Sequence, residues 1–354
     1  MTTSHPLTFI LQWHLTERCN LRCRHCYQEG QGGAELSQTE IYSIIDEAAG
    51  MLKAWEEAYG LSFAPVANVT GGEPFLRAGL FEIMARLAGA GFALNLLTNG
   101  ILATPERAKL LKDLKVAEVQ VSLEGPQDIH DQIRGPGSFA AALAGVRIFL
   151  EAGLKVSLNT TLSRLNFQRF PELLVIARSV GVPEVGFSRL VPSGQGQTLI
   201  GKMLSPVELE DFYRRMLAPP AGDVAVICGD PLAAQLAVGQ DPGDLGEVPC
   251  GGCAAAISGL TLLPDGTILP CRRLAIPLGN ANRDSLREIW ALHPVLTALR
   301  DRSRYPGKCG ACARWAVCRG CRAVAHAWSQ AEGTPDPLAP DPQCFVEPGA
   351  GPDA

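Results

Sequence analysis

Hydrophobic and polar positions between Leu7 and about Val191 follow two alternating patterns. Short apolar runs are typical of strands, and the longer amphipathic stretches between them are typical of helices. Strict alternation of the two predicts a parallel sheet with right-handed crossovers. Because the six strand–helix units fall short of the eight in a closed barrel, we expect an α/β fold with a partial (β/α)6 barrel and functional residues at the C-terminal ends of its strands. The predicted strands are Thr8–Leu15, Val66–Thr70, Ala93–Thr98, Glu118–Leu123, Lys155–Leu162 and Glu184–Leu190.

Capping signals between the predicted strands mark where helices begin. Ser37 followed by Glu40 matches a capping box. Thr104 followed by Pro105 matches an N-cap with proline in the first helical position. Ser138 is expected to cap a helix that runs to about residue 152.

A second region of different character begins near Pro192. Residues 205–208 start one more helix with a capping box, and Gly, Pro and Cys dominate after Ala221. Apolar runs on both sides of Pro264-Asp265-Gly266 predict a β-hairpin, and residues 285–300 predict a helix. We therefore predict a barrel at 1–192, a bridging region at 193–249, a loop-rich and cysteine-rich domain at 250–346 and a disordered tail at 347–354.

Composition and charge argue against two classes of partner. The 354 residues are 47% hydrophobic, which suffices for a large core in two domains. A net charge of −5 without a run of Lys or Arg argues against nucleic-acid binding. No signal peptide precedes the first strand, and the longest uncharged stretch, Gly89–Pro105, is interrupted by Asn and Gly, so no membrane span is expected. The twelve cysteines are therefore expected to be reduced, in a reducing cytoplasm, and the clustered ones to be metal ligands.

Three cysteines follow the first predicted strand in the pattern C-x3-C-x2-C: Cys19, Cys23 and Cys26. Iron–sulfur clusters that only carry electrons normally have four cysteine ligands, so three thiolates predict a 4Fe–4S cluster with one iron open for catalysis. A structural zinc site is the alternative, but it needs four ligands. His25 is a poor fourth because it lies between two of the cysteines. Buried free thiols are the other alternative.

The second region contains a further eight regularly spaced cysteines, enough for two fully ligated clusters. They are Cys250, Cys253, Cys271, Cys309, Cys312, Cys318, Cys321 and Cys344. Spacing alone favours zinc and iron–sulfur about equally, and the neighbouring triplet moves the balance towards iron–sulfur. Cys228 stands alone and is expected to be a small buried hydrophobic residue.

The second predicted strand ends in Thr70-Gly71-Gly72-Glu73-Pro74. Paired glycines let the backbone approach a ligand closely, and the carboxylate can accept hydrogen bonds from a ligand ammonium group. An ordinary turn is the more common explanation of such a segment. Its position at the end of a barrel strand, after a cysteine triplet, favours the ligand site.

Together these motifs strongly resemble those of the radical S-adenosylmethionine (radical SAM) enzymes. The resemblance includes the aromatic Tyr27 after the triplet, T-N-G at 98–100 and V-S-L-E-G at 121–125. The cysteine-rich region resembles the SPASM extension of that family, including Leu278-Gly279-Asn280 and the segment 285–290. The resemblance spans roughly residues 7–345.

By this resemblance, Cys19, Cys23 and Cys26 hold a catalytic 4Fe–4S cluster whose open iron binds S-adenosylmethionine. Arg134 is expected to pair with a carboxylate of cosubstrate or substrate, with an ordinary surface arginine as the alternative. The residues expected around the cosubstrate are Tyr27, Gly71, Gly72, Glu73, Pro74, Asn99, Ser122, Arg134, Asn159 and Leu190. The resemblance assigns Cys250, Cys253, Cys271 and Cys321 to a first auxiliary 4Fe–4S cluster and Cys309, Cys312, Cys318 and Cys344 to a second.

The sequence departs from the family pattern in three places. Cys318 and Cys321 are separated by two residues where relatives more often have three, which bears on how ligands divide between the auxiliary clusters. Glu124 stands where many relatives have Asp. The chain begins at its first predicted strand, so we expect no leader-binding domain and consider a separate leader-peptide-binding protein as a partner.

The resemblance implies reductive cleavage of S-adenosylmethionine to a 5′-deoxyadenosyl radical that abstracts hydrogen from a substrate. The leading hypothesis is oxidative modification of a peptide or protein, for example a thioether crosslink, with a low-potential flavodoxin or ferredoxin as electron donor. Alternatives are a sulfatase-maturating, formylglycine-generating enzyme, and modification of a small molecule or tetrapyrrole. A non-enzymatic electron carrier or zinc scaffold is more remote. His14, His130 and Asp131 are candidate general bases by position only, and we expect solvated surface roles for them.

Overall fold

The computed structural model describes residues 6–28, 33–217, 223–236 and 248–346. The predicted tail at 347–354 lies outside these residues. The strands are β1 (Leu7–His14), β2 (Phe63–Thr70), β3 (Ala93–Thr98), β4 (Glu118–Ser122), β5 (Val156–Leu162), β6 (Glu184–Arg189), β7 (Ala225–Cys228), β8 (Gly259–Leu262), β9 (Thr267–Leu269) and β10 (Gly279–Asn280). The helices are α1 (Gln38–Tyr59), α2 (Leu80–Gly89), α3 (Pro105–Asp113), α4 (Gln127–Arg134), α5 (Ser138–Glu151), α6 (Phe170–Val180), α7 (Pro206–Met216), α8 (Leu286–Leu292), α9 (Pro294–Arg300), α10 (Gly307–Ala311) and α11 (Arg322–Ala331).

All ten described strands form one sheet in the order β10-β9-β8-β1-β2-β3-β4-β5-β6-β7. Strands β1 to β6 are neighbours in chain order and parallel, as alternation of strands and helices predicts. The bridging region adds β7 parallel to β6, and the cysteine-rich region adds β8 parallel to β1. The predicted hairpin is β8 and β9, an antiparallel pair. The predicted α/β class, with a mostly parallel sheet and a C-terminal hairpin, is confirmed.

The two faces of the sheet differ in polarity. On β1, Leu11 and Trp13 are fully buried in the hydrophobic core, whereas Gln12 lines a polar cavity on the opposite face. The same alternation on β2 and β3 places Asn68 and Asn95 on that cavity face. Polar side chains thus occupy the inner face, while the helices pack on the apolar outer face.

Most predicted helix starts are confirmed, and one is wrong. Both capping boxes form, and Thr104 accepts from the backbone of Arg107 with Pro105 in the first turn. Ser138 is instead the first helical residue of α5, because Gly137 adopts a left-handed conformation (φ 78°) and occupies the cap position.

The helix predicted for residues 285–300 is two helices. Helix α8 ends at Leu292 and α9 begins at Pro294, with His293 extended between them (ψ 127°). The residue before a proline is disfavoured in the helical conformation, which explains the break. In the described ranges, no helix is long and apolar enough to cross a membrane.

Candidate functional site

The loop that carries the cysteine triplet leaves β1 and packs on the G-G-E-P turn after β2. Gly72 N–H donates to Thr16 O at 2.7 Å, and Glu73 N–H donates to Arg18 O at 2.8 Å. A Cβ atom on Gly71 would lie 2.4 Å from Thr16 O, and one on Gly72 would lie 2.3 Å from Arg18 O. The two glycines are therefore required for the cysteine loop to approach the turn.

Glu73 braces this turn from within the protein. It is fully buried and accepts from Thr98 Oγ1 at 2.8 and 2.9 Å, from Asn99 N–H at 2.9 Å and from Phe75 N–H at 3.2 Å. Burial raises the pKa of Glu73 to about 7. Asn99 in turn donates to Asn20 of the cysteine loop at 2.8 Å. The G-G-E-P and T-N-G motifs are thus hydrogen-bonded to each other, and the T-N-G motif is hydrogen-bonded to the cysteine loop. The predicted contact of Glu73 with a ligand ammonium group stays a prediction.

Glu124, the residue that departs from the family pattern, also anchors the cysteine loop. Its Oε1 accepts from Arg134 Nε and Nη2 at 2.8 and 2.6 Å, and from His25 Nε2 at 2.9 Å. Its Oε2 accepts from Thr160 Oγ1 and Thr161 N–H, both at 2.9 Å. Burial opposes ionisation of this carboxyl, but His25 and Arg134 hold the pKa of Glu124 well below its ordinary value.

Arg134 joins this anchor to the triplet. Its third nitrogen, Nη1, lies 3.8 Å from Cys23 Sγ, while the other two contact Glu124. Burial raises the pKa of the Cys23 thiol to about 11. A guanidinium at this position favours a thiolate there.

The three candidate general bases have structural partners instead of exposed positions in the cavity. His14 is 1% exposed, and Gln28 Nε2 donates to its Nδ1 at 2.9 Å. His130, also 1% exposed, accepts from Glu124 N–H at 3.2 Å, and Asp131 accepts from backbone N–H groups at the start of α5. Burial lowers the pKa of His14 to about 3 and that of His130 to about 4. The expected solvated surface roles are wrong for both histidines.

A cavity of about 450 Å³ opens at the C-terminal ends of the strands. Ten of the thirteen residues predicted around the cluster and cosubstrate line it: Cys19, Cys23, Cys26, Tyr27, Gly71, Gly72, Asn99, Ser122, Arg134 and Asn159. The other three, Glu73, Pro74 and Leu190, are buried behind the wall. The structure therefore brings most of the predicted site residues to one place, and their individual ligand contacts stay predictions.

Sequence reasoning missed several polar residues of this wall, above all Arg272 and Arg273. Both line the cavity, although they follow β9 in the cysteine-rich region, far from the barrel motifs in the chain. Ser188, Gln195 and Thr198 line it too. The one signal for the arginines is a basic pair directly after Cys271, and only the pairing of β8 with β1 reveals that this pair lies at the cavity.

The cysteines of the C-terminal region lie among buried segments of the same region. Cys253 N–H donates to Cys318 O at 3.2 Å, and Cys321 N–H donates to Asp341 Oδ2 at 2.8 Å. Burial raises the pKa values of the Cys318 and Cys344 thiols. Across the described ranges, no three His, Cys, Asp or Glu side chains are gathered closely enough to hold a single metal ion. The division of these cysteines between two clusters stays a prediction.

Buried arginines beside these cysteines indicate what kind of group fits there. Arg319 and Arg322 are 2% and 0% exposed, and neither forms an ion pair with a carboxylate in the described parts of the chain. Arg322 Nη2 lies 4.0 Å from Cys309 Sγ. Both donate to backbone carbonyl groups, and Arg319 lies over Trp315 and Arg322 over Tyr305, but a buried cation without a counter-charge is still unfavourable. A thiolate-ligated cluster with net negative charge would supply that counter-charge, so the residues fit auxiliary iron–sulfur clusters.

Comparison with known proteins identifies the family. Residues 13–175 match the radical SAM superfamily, and residues 253–322 match SPASM, an iron–sulfur cluster-binding domain. An AdoMet-dependent heme synthase of Methanosarcina barkeri is 30% identical over 96% of this chain and 97% of its own length. The chain belongs to the radical SAM superfamily and carries a SPASM domain, as its motifs predict. Membership implies S-adenosylmethionine and multiple 4Fe–4S clusters as cofactors.

The names of other relatives point to different products. A pre-heme d1 synthase of Dinoroseobacter shibae is 28% identical over 95% of this chain and 86% of its own length. The mycofactocin maturase MftC of Mycobacterium tuberculosis is 29% identical over 94% of this chain and 82% of its own length. Among solved structures, Streptococcus suis SuiB bound to S-adenosylmethionine superposes with a TM-score of 0.72 at 17% identity, covering 96% of this chain and 78% of its own. At that identity the likeness shows the fold alone.

Proposed function

We propose that this chain is a radical SAM enzyme of heme synthesis that converts carboxylate-bearing side chains of an iron tetrapyrrole. In this proposal Cys19, Cys23 and Cys26 hold the catalytic cluster, and the cavity beside them takes S-adenosylmethionine. Support comes from the heme synthase relative, which matches nearly the full length of both chains. The pre-heme d1 synthase is a second relative whose name points to a tetrapyrrole.

The charge of the cavity wall is the observation that carries this proposal. Six arginines line the cavity, whereas none of the Asp and Glu residues in the described ranges does. Arg134 is neutralised by Glu124, and Arg189 by Asp230 and Asp341. The other four cations have no acidic partner among the described residues, which suits a substrate with several carboxylates. The six are Arg22, Arg24, Arg134, Arg189, Arg272 and Arg273.

Conversion of a propionate side chain to the vinyl group found in heme removes one hydrogen atom, one molecule of CO₂ and one electron. When bound, the reduced cluster and S-adenosylmethionine supply a radical that takes the hydrogen atom, and the auxiliary clusters supply an acceptor for the electron. The residues of this chain bind and orient the carboxylate and keep water from the reacting carbon. A cavity of about 450 Å³ is within the range for one small-molecule ligand. A macrocycle bound together with S-adenosylmethionine therefore lies at its mouth and extends a side chain inward.

Oxidative modification of a peptide is the second candidate, and the relative MftC favours it. A low-potential flavodoxin or ferredoxin serves as electron donor under either candidate, and a separate leader-peptide-binding protein is a partner only under the second. A reducing cytoplasm suits both, since the eleven cysteines assigned to clusters have to stay available as ligands.

Anaerobic turnover separates the two candidates. Reconstituted protein is incubated with S-adenosylmethionine, a reductant and either Fe-coproporphyrin III or peptides encoded near the gene, and products are identified by mass spectrometry. We expect the tetrapyrrole to lose the equivalent of formic acid for each vinyl group formed, with 5′-deoxyadenosine released alongside. Modification of a peptide while the tetrapyrrole stays unchanged would refute the proposal.

A matched variant tests the catalytic cluster itself. Wild type is expected to contain about twelve iron atoms per chain, four for each of three clusters. Replacing Cys19, Cys23 and Cys26 together with Ala should remove about four of them and all 5′-deoxyadenosine formation. Turnover that survives in this variant would show that the cluster lies elsewhere.

A further inference from the structure

A second, smaller cavity of about 220 Å³ continues from the first along the inner face of the barrel. The two cavities share Leu97, Gln120 and Arg272 as lining residues. The smaller one, here called the inner cavity, lies towards the N-terminal ends of the strands. Its lining residues are Gln12, Asn68, Asn95, Leu97, Glu118, Gln120 and Arg272.

Three amide side chains cross the wall of the inner cavity on neighbouring strands. Gln12, Asn68 and Asn95 are register partners on β1, β2 and β3. Asn95 Nδ2 donates to Asn68 Oδ1 at 3.0 Å, and Asn68 Nδ2 donates to Gln12 Oε1 at 3.3 Å. Because all donors point the same way, the ladder ends in Gln12 Nε2, which is buried and has no hydrogen-bond partner among the described residues. An unpaired buried donor in a polar cavity calls for an acceptor.

A positive charge lines the same cavity as this unpaired donor. Arg272 lines both cavities, and none of the described carboxylates pairs with it. Glu118 is the one acid on the wall of the inner cavity in the described ranges. It pairs with Lys155 at 3.2 Å, a cation that it shares with Glu184 at 2.7 Å, and it accepts from Ser157 Oγ. Among the described residues, the inner cavity thus offers one cation without an acidic partner and one unpaired amide donor, while its acid already contacts a lysine and a hydroxyl group.

We propose that Arg272 and Gln12 bind one carboxylate of the substrate in the inner cavity, which makes them specificity-determining residues. The inference rests on the proposed function, since it names the part of the tetrapyrrole that enters the barrel. An arginine fork matches the two oxygens of a carboxylate, and Gln12 Nε2 supplies a further donor. The small volume of the inner cavity admits a carboxylate-bearing side chain and excludes the macrocycle.

Binding to the reconstituted holoprotein tests this inference. Fe-coproporphyrin III is titrated in the presence of S-adenosylmethionine without reductant, and the absorbance of the tetrapyrrole reports binding. We expect Arg272→Gln to raise Kd about tenfold or more, since one charge-assisted contact is lost. Arg272→Lys should fall between this variant and wild type. Arg287→Gln, on the exposed face of α8, is the matched control and should bind as wild type does.

The tetramethyl ester of the same tetrapyrrole shows whether the contact is to a carboxylate. If Arg272 binds a carboxylate, esterification and Arg272→Gln remove the same interaction, so their combined effect is smaller than the product of the two separate effects. Fully multiplicative effects would overturn the inference. Iron content and affinity for S-adenosylmethionine should be unchanged in Arg272→Gln.

The outcomes separate this inference from the proposed function. If wild type converts the tetrapyrrole and Arg272→Gln binds it equally well, the inference is wrong and the proposed function stands. If wild type neither binds nor converts any tetrapyrrole, both are wrong. Because Arg272 adjoins Cys271, a loss of iron in its variant would have a cause other than the carboxylate contact. If iron is lost, Gln12→Met decides, since Gln12 lies seven residues from its nearest cysteine, Cys19. That variant should raise Kd severalfold with full iron content, and unchanged affinity would overturn the inference.

Discussion

Replacing Glu124 with Gln tests whether a buried carboxylate anchors the cysteine loop to the barrel. Each carboxylate oxygen of Glu124 accepts hydrogen bonds from two residues. Oε1 accepts from Arg134 and His25, and Oε2 accepts from Thr160 and Thr161. A glutamine replaces one oxygen with an NH₂ group, which then faces a donor on whichever side it lies. The guanidinium of Arg134 also loses its counter-charge while it stays largely buried.

The expected cost follows from this geometry. Removing one partner of a buried ion pair costs about 3–5 kcal/mol, because the other charge is left uncompensated. We therefore expect Glu124→Gln to lower the free energy of unfolding by about 3–5 kcal/mol. The exposed pair of Lys109 and Asp113 supplies the matched control, since Asp113→Asn should cost about 0.5 kcal/mol or less.

Chemical denaturation of the anaerobic holoprotein, followed by circular dichroism, measures both variants. Arg134→Met and the double variant complete a cycle, and the double variant should be less destabilised than the sum of the single ones. The pKa of Glu124 lies below its ordinary value of 4.5 in the folded protein. Its contribution is therefore fully present above that value and is lost as pH falls through the lowered pKa, so wild type and variant should converge in acid. A loss for Glu124→Gln no larger than for Asp113→Asn, or strict additivity in the cycle, would refute the anchoring role.

Three further outcomes are expected. Gly72→Ala places a Cβ 2.3 Å from Arg18 O, so the cysteine loop should shift. Iron analysis should then show a loss of about four iron atoms per chain. Full iron content would contradict the packing role of this glycine. Arg322→Met removes a buried cation beside an auxiliary cysteine. Because the cation favours the reduced cluster, its loss should lower the midpoint potential of one cluster by on the order of 100 mV in an EPR titration. An unchanged potential would place the cluster elsewhere. Cys344→Ser should remove one auxiliary cluster, with about four iron atoms, and leave slow cleavage of S-adenosylmethionine intact. Cys228→Ser, at a thiol whose pKa burial raises to about 12, is its control and should keep all iron.

The order of the barrel strands could be predicted because each strand carries its own local signal. Ala93–Thr98 has the predicted bounds, and the other five strands differ at one or both ends by up to three residues. The largest shift is at β2, which begins at Phe63, because Phe63 and Pro65 pair with Leu7 and Phe9 of β1. A proline within an apolar run hides such pairing, since proline is uncommon inside a strand. The pairing with β1, and not the local sequence pattern, determines where β2 begins.

The part of the site that consists of short sequence motifs could be predicted. The cysteine triplet, G-G-E-P and T-N-G are local in sequence, and they do meet around one cavity. Arg272 could not be found in this way, because its position at the cavity depends on β8 pairing with β1 across more than two hundred residues. The structural role of Glu124 was equally hidden, since its partners His25, Arg134 and Thr160 come from three separate segments.

A buried ion pair fixes the proline-rich segment that precedes Cys344. Arg189, at the end of β6 on the cavity wall, donates to Asp341 at 2.8 and 3.0 Å and to Gln343 Oε1 at 2.9 Å. Asp341 also accepts from Cys321 N–H at 2.8 Å. Burial opposes ionisation of Asp341, but Arg189 holds its pKa below the ordinary value, so the pair stays charged. Through Asp341, Arg189 thus fixes the segment before Cys344 and the backbone of Cys321 against the barrel. Residues predicted to hold both auxiliary clusters are therefore tied to the cavity wall.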